Sequence, residues 1–162
     1  CQSASLPPMT TVPQVDLDRF MGDWYVIAHI PTWPERNAWN AIESYARNPD
    51  GSIATTFTFR EGGFEGEAKK MTPTGYVTDT QSNAIWGMQF LWPFKADYRI
   101  SYLTPDYRIT VISREKRDYV WVMARTPEIS SADRQAVDEH LQALGYKLAE
   151  VRDVPQRWEA KP

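Results

Sequence analysis

"GDWYVIAHI", Gly22 to Ile30, sets a glycine, an acid and two adjacent aromatics at the head of an apolar run that stops at Pro31. Its length and its β-branched and aromatic content are those of a strand. The chain beyond it repeats the pattern. "NAIESYARN" ends at the Pro-Asp-Gly of 49–51, "SIATTFTFR" at the Glu-Gly-Gly of 61–63, and "FEGEAKKMT" at Pro73 with Thr74 and Gly75 as a turn. "NAIWGMQFLW" ends at Pro93 and "ADYRISYLT" at Pro105 and Asp106, while "DYRITVIS" and "DYVWVMAR" flank the charged tip "REKR" at 114–117. These eight segments, with turns every eight to twelve residues, read as antiparallel strands. Short turns in sequence order predict an all-β, eight-stranded up-and-down antiparallel barrel, because closure removes both exposed edges. A β-sandwich is the alternative architecture.

The period changes only late. "SSADRQAVDEHLQALG", 130–145, has a serine cap, Asp133 three residues on, an apolar row at Val137, Leu141 and Leu144, and a glycine stop. One C-terminal α-helix is expected outside the barrel wall. "VDLDRFM", 15–21, suits a short helical turn before Gly22, and "YKLAEVRDV" is a candidate for one more short strand.

With 162 residues the chain is long enough for one domain with a sizeable core. A net charge of -3 and no basic block give no sign of nucleic acid. No apolar run approaches the ~20 residues of a spanning helix. The only cysteine is Cys1, so a disulfide within the chain, a cysteine zinc site and a thiolate pair are all out of reach. Residues 1–14, "CQSASLPPMTTVPQ", are rich in Ser, Thr and Pro and lack apolar periodicity. They read as a flexible tether ahead of a domain over 15–162.

Alternation places large side chains on one face of several strands. Ile53, Thr55, Phe57 and Phe59 share a face, as do Trp86, Met88, Phe90 and Trp92, and then Tyr119, Trp121, Met123 and Arg125. Either these rings fill the barrel or they line an apolar cavity; an eight-stranded barrel has room for one small ligand. Methionine among aromatics suits an adaptable pocket.

"GDWY" at the start of the first strand and "ARTP", 124–127, after the last resemble the lipocalin family. "SYARNPDGSI", "FLWPF" and "RDYVWVMARTP" extend the likeness to its apolipoprotein D-like branch and bacterial outer-membrane lipoprotein members, over roughly residues 15 to 160. The usual Thr-Asp-Tyr between strands six and seven is replaced by "YLTPDY", and the disulfides of the animal members are absent. The resemblance implies that Gly22 opens the barrel, that Trp24 plugs its closed end and that Arg125 stacks on Trp24, all structural roles. It implies an apolar ligand along the barrel axis, with Tyr45 and Trp121 in the pocket. Tyr45 inward brings Glu43 inward too, a buried carboxylate that needs a partner; Arg99 or Arg108 are candidates, and Glu43 in solvent is the other reading. The loop 30–39 would overhang the mouth, with Trp33 and Trp39 either lid residues or packing beneath it.

The expected ligand set is therefore Glu43, Tyr45, Phe57, Phe59, Trp86, Met88, Phe90, Tyr119, Trp121, Met123, Trp33 and Trp39. The expected function is binding and storage or transport of a fatty acid or lysophospholipid, with no cofactor and no metal. A first-position cysteine resembles the acylated residue of bacterial lipoproteins, the plainer reading being a trimmed chain end. Gln2 after it points to a Gram-negative outer membrane, with the barrel facing the periplasm. Two rival functions are a haem or pigment carrier, which needs a His, Tyr or Cys ligand in the cavity, and an interaction module with a filled barrel. Catalysis is not expected: His29 has outward parity, His140 sits among charged helix neighbours, and nothing places a base beside a serine. A pair of perturbed carboxylates inside the barrel would reopen that question.

Overall fold

A computed structural model describes residues 8–91 and 93–158. Cys1, the first half of the expected tether and Trp92 lie outside the described residues. The strands are β1 (Gly22–Ile30), β2 (Ala38–Arg47), β3 (Ile53–Glu61), β4 (Glu67–Met71), β5 (Thr74–Val77), β6 (Ile85–Leu91), β7 (Phe94–Leu103), β8 (Ile109–Ser113), β9 (Val120–Ala124) and β10 (Arg152–Asp153). All pairings are antiparallel and mostly between sequence neighbours; β1 pairs with β9 to close the barrel and also with β10. β4 and β5 together occupy the fourth of eight barrel positions, both pairing β3. The turn expected at Thr74 and Gly75 is instead the start of β5: Pro73 lacks a backbone donor and breaks the ladder, and the chain then resumes it. Gly75 faces inward, where a Cβ would sit 3.2 Å from the Trp86 ring and 3.3 Å from Ile53, so the absent side chain makes room for that indole.

Two clusters divide the apolar residues. Val26, Ile53, Phe57, Trp86, Met88, Ile100 and Met123 belong to the barrel interior. Val111, Val122 and Ile109 belong to the outer wall, where they meet Val137 and Leu141 of α2 (Ser131–Leu144). The Ser130 hydroxyl accepts from the Asp133 N–H at 3.1 Å, and Gly145 ends the helix at φ 103°. His140 is half-buried, its Nε2 2.9 Å from the Ser101 hydroxyl, and not simply solvated as its charged neighbours implied.

The tether expected over 1–14 is already docked within its second half. Met9 is buried against the outer cluster, and its N–H donates to Glu115 at 3.1 Å. The Val12 N–H donates to the Ile100 carbonyl at 3.0 Å. Sparse apolar residues, too few for periodicity, are enough to seat an extended segment.

Two bulges determine what faces inward. The β1–β9 register slips between Val26 and Ala28, and the β2–β3 register slips between Trp39 and Ile42. Each extra residue reverses the side-chain alternation beyond it. Trp24 and Val26 point into the barrel, Ala28 joins the outer cluster, and His29, opposite Trp121, points in again. The C-terminal segment lies across both bulges. Gln156 Nε2 donates to the Val26 carbonyl at 2.9 Å and to the Ala41 carbonyl at 3.0 Å, satisfying acceptors that the ladder has left.

Candidate functional site

The barrel interior has two tiers. The lower tier is filled. Trp24 is fully buried, and its Nε1–H donates to the Phe20 carbonyl at 2.9 Å. Phe20, at the end of α1 (Leu17–Phe20), packs its ring 5.1 Å from Trp24 and 5.6 Å from Tyr45. Trp86 stacks on Tyr98 at 4.6 Å, nearly parallel. Beneath this layer the Arg125 guanidinium lies 3.8 Å from the Trp24 ring centroid. It also donates to the carbonyls of Asp23 at 2.9 Å and Arg19 at 2.7 Å. Gly22, at φ 100°, passes within 3.4 Å of that guanidinium, measured from where its Cβ would be. A cation on an indole face, sheltered from water, contributes ~0.5–2 kcal/mol, and the closed end is stitched by it.

Above the floor is an apolar cavity of about 250 Å³. Of the residues expected to contact a ligand, Glu43, Phe57, Met88, Phe90, Tyr119 and Trp121 line it. Tyr45, Trp86 and Met123 are interior but lie in the packed tier rather than on the cavity wall, and Phe59 is buried behind Phe57, its ring 5.3 Å away, toward the open end. Phe90 is at the mouth and 61% exposed, not buried as its strand parity implied, because the β6–β7 register slips between Met88 and Leu91. The Trp33 side chain does not cover the mouth: it is 73% exposed, with the Arg36 guanidinium 3.4 Å from its ring. Trp39 packs edge-on against Phe64 at 4.9 Å, the packing alternative, because the bulge beginning there turns it off the cavity.

The residue that the sequence reading passed over is Glu35. It sits in the single-turn 3-10 helix Trp33–Glu35, with Pro34 at its second position. Its carboxylate accepts from the Thr32 hydroxyl and from the Thr32 N–H at 3.4 Å, and Trp121 Nε1–H donates to Oε1 at 2.9 Å. Thr32 followed three residues later by Glu35 is a capping-box pattern, a signal that was available in the sequence. Burial pushes the Glu35 carboxyl above the usual carboxylate range, although these hydrogen bonds oppose the shift.

Glu43 faces inward and lines the base of the cavity. Burial raises its pKa to about 8; the nearby Glu35 adds to the rise, and a hydrogen bond with Tyr45 opposes it. The accessible surface that Glu43 keeps is therefore cavity surface rather than bulk surface. The cation partners expected for it are elsewhere. Arg99 is held by Asp97 at 2.9 Å and Glu115 at 3.2 Å, and Arg108 by Asp106 at 2.8 Å and Asp133 at 3.5 Å. The Tyr45 and Tyr98 hydroxyls bond each other at 2.5 Å, and burial raises both far above the usual phenol range.

His29 completes the group. The bulge in β1 overturns its expected outward orientation: it is 2% exposed, with Nδ1 3.9 Å from Glu35 Oε1 and no hydrogen-bond partner. Burial, and then the positive charge of Arg152, lower its pKa to about 4, so the imidazole is neutral. The perturbed carboxylate pair that would reopen catalysis is thus present. It lies in a cavity with no serine on its wall, and the Thr32 hydroxyl is already engaged by Glu35. Among the described residues no group of three His, Cys, Asp or Glu could hold a metal ion.

A closed eight-position barrel with an outer helix, a sealed aromatic floor and an open apolar cavity define a small-ligand-binding barrel. Residues 15–156 match the lipocalin-like domain, and the chain belongs to that family. It is 30% identical over 139 residues to the outer membrane lipoprotein Blc of Citrobacter freundii, covering 83% of this chain and 76% of that protein. It is 28% identical over 155 residues to temperature-induced lipocalin-1 of Arabidopsis thaliana, covering 91% and 83%. Among solved structures, the cockroach allergen Per a 4 superimposes with a TM-score of 0.71 at 17% identity, covering 94% of this chain and 96% of that one. Insecticyanin of Manduca sexta superimposes with a TM-score of 0.72 at 14% identity, covering 95% and 86%. At those identities the structural likeness concerns the fold alone.

Proposed function

We propose that this lipocalin carries a single-chain lipid, a fatty acid or lysophospholipid, at the outer membrane of a Gram-negative bacterium. The observation that carries the reading is the cavity: about 250 Å³, walled by Phe57, Met71, Met88, Ile112 and Trp121, and opening between exposed aromatics. Small-molecule sites usually span ~300–1,000 Å³, so this one suits one acyl chain rather than two. The same volume disfavours a tetrapyrrole, and the two deep tyrosine hydroxyls that could ligate its metal are bonded to each other. The apolar wall favours binding over catalysis. The setting is supported by relatives named outer membrane lipoproteins. Acylation of Cys1 would supply the anchor, with the barrel in the periplasm; two or more chains are needed for stable attachment at ~0.8 kcal/mol per buried CH2.

Native mass spectrometry of the protein purified without detergent from a bacterial host tests the ligand. A mass excess that fragments to one acyl chain is expected. A bare mass that stays bare when oleate and lysophospholipid are added, with no change in tryptophan emission, would overturn the carrier reading in favour of an interaction module. Cys1→Ser should move the protein from the outer-membrane fraction to the soluble periplasm; unchanged fractionation would refute the anchor.

A further inference from the structure

The deep end of the cavity holds a carboxyl, Glu43, where a pocket built only for an alkyl tail would be apolar. At the open end the β6–β7 hairpin carries exposed apolar side chains, Phe90, Leu91 and Phe94 at 61%, 71% and 72%, beside the Asp97 and Arg114 of the wall. Two buried acids face the interior: Glu43 leaves β2 just above the Tyr45–Tyr98 floor, and Glu35, on the β1–β2 loop at the open end, is turned inward against Trp121.

Among the described residues no cation pairs with these two carboxyls. His29, the basic side chain beside Glu35, is neutral and buried, with Nδ1 unpartnered. Arg114 reaches the cavity wall from the 114–119 loop, but Asp118 engages its Nε at 2.8 Å. Asp97, on the β7 wall, holds Arg99. Arg125 lies beneath Trp24, on the far side of the floor. An uncompensated carboxylate in an apolar enclosure is costly, and the usual relief is either protonation or an added counter-charge with N–H donors. Glu43 takes the first course, keeping its proton to about pH 8. A ligand can supply the second.

We propose that the cavity is a site for a protonated primary amine on a single alkyl chain, entering head first, with Glu43 at the base holding the ammonium, Glu35 adding its negative charge from the wall above, and the aromatic side chains at the mouth holding the tail. This rests on the carrier reading and goes beyond it by ranking head groups: an ammonium is favoured, an alcohol is tolerated, and a carboxylate is disfavoured. The N–H donors of an ammonium match what Glu43 offers, the free lone pairs of a carboxylate. Charge-assisted bonds of this kind are the stronger class. Since Glu43 is protonated at neutral pH, it must give up its proton when the ammonium arrives.

Decylamine, decanol and decanoate, titrated against the full chain at pH 8 with tryptophan emission as the readout, test this. Decylamine should bind roughly tenfold or more tightly than decanol, the worth of one or two charge-assisted bonds, and decanoate more weakly than decanol. E43Q, an amide in place of a protonated carboxyl, should erase the advantage of the amine over the alcohol. On the unsubstituted chain, calorimetry at pH 7 in two buffers of different ionisation enthalpy should show about one proton released per amine bound. An amine no tighter than decanol, an advantage that survives in E43Q, or no proton release would each overturn the amine site while the carrier reading stands. Failure of all three ligands to bind would overturn both.

Discussion

Replacing Glu43 by glutamine should change how stability depends on pH, in a direction set by the cavity. In the unfolded chain this carboxyl titrates near 4.5, and in the fold near 8. Between those values the folded protein keeps a proton that the unfolded protein gives up. Unfolding then releases a proton, so stability is fully present below pH 4.5 and is lost as pH rises through 8. At about 1.4 kcal/mol per pH unit the window caps the loss at about 5 kcal/mol. Below pH 6.5 the buried His29 gives the opposite slope, so the Glu43 share stands alone only above it, where it is capped at about 2 kcal/mol and is lowered by water entering at the open mouth. The assay is urea unfolding by tryptophan emission at intervals from pH 6.5 to 9. The parent should lose stability across this range, and E43Q should lose much less. Glu35 is also raised, so a residual slope should remain in E43Q and disappear in the E35Q/E43Q double variant. A flat parent profile, or an E43Q profile parallel to it, would refute the enclosed, uncompensated carboxyl.

Three further expectations follow from the two tiers and the bulge. Trp24→Ala should cost ~3–5 kcal/mol by chemical unfolding, the range for losing a buried ring, because it empties the floor and leaves Arg125 without its indole face; a loss under 1 kcal/mol would contradict the plug. Trp121→Ala should leave the unfolding midpoint near that of the parent while weakening binding of a single-chain lipid roughly tenfold, about 1.4 kcal/mol; unchanged affinity would remove Trp121 from the site. His29 refuses a proton down to about pH 4, whereas the unfolded residue accepts one near 6.5, so its contribution is present above 6.5 and is lost as pH falls through 4. His29→Gln should flatten the acid limb by up to about 3 kcal/mol between those values, and an identical limb would place the imidazole in contact with solvent.

What could be read from the chain follows from what alternation and turn chemistry encode. The strands, the outer helix and the closed end were legible because each rests on local signals: Gly22 before Trp24, Pro-Asp-Gly at 49–51, Ser130 and Gly145 around an apolar row. The wall was legible where strands stay regular, so Phe57, Met88 and Trp121 follow from parity alone. The site's chemistry was less legible, because it depends on departures from parity. The bulge between Val26 and Ala28 turns His29 inward, and the one between Trp39 and Ile42 turns Trp39 aside. Neither carries a glycine or proline, and both are held by Gln156, more than a hundred residues away. Glu35 stands between these effects: its capping-box spacing is local, but its role as a cavity acid arises only when β9 brings the Trp121 N–H to its carboxylate. The fold is thus written in short-range pattern. The polar base of the cavity is written in the long-range contacts that bend that pattern, and substitution at Gln156 should therefore disturb His29 and Glu43 before it disturbs the barrel.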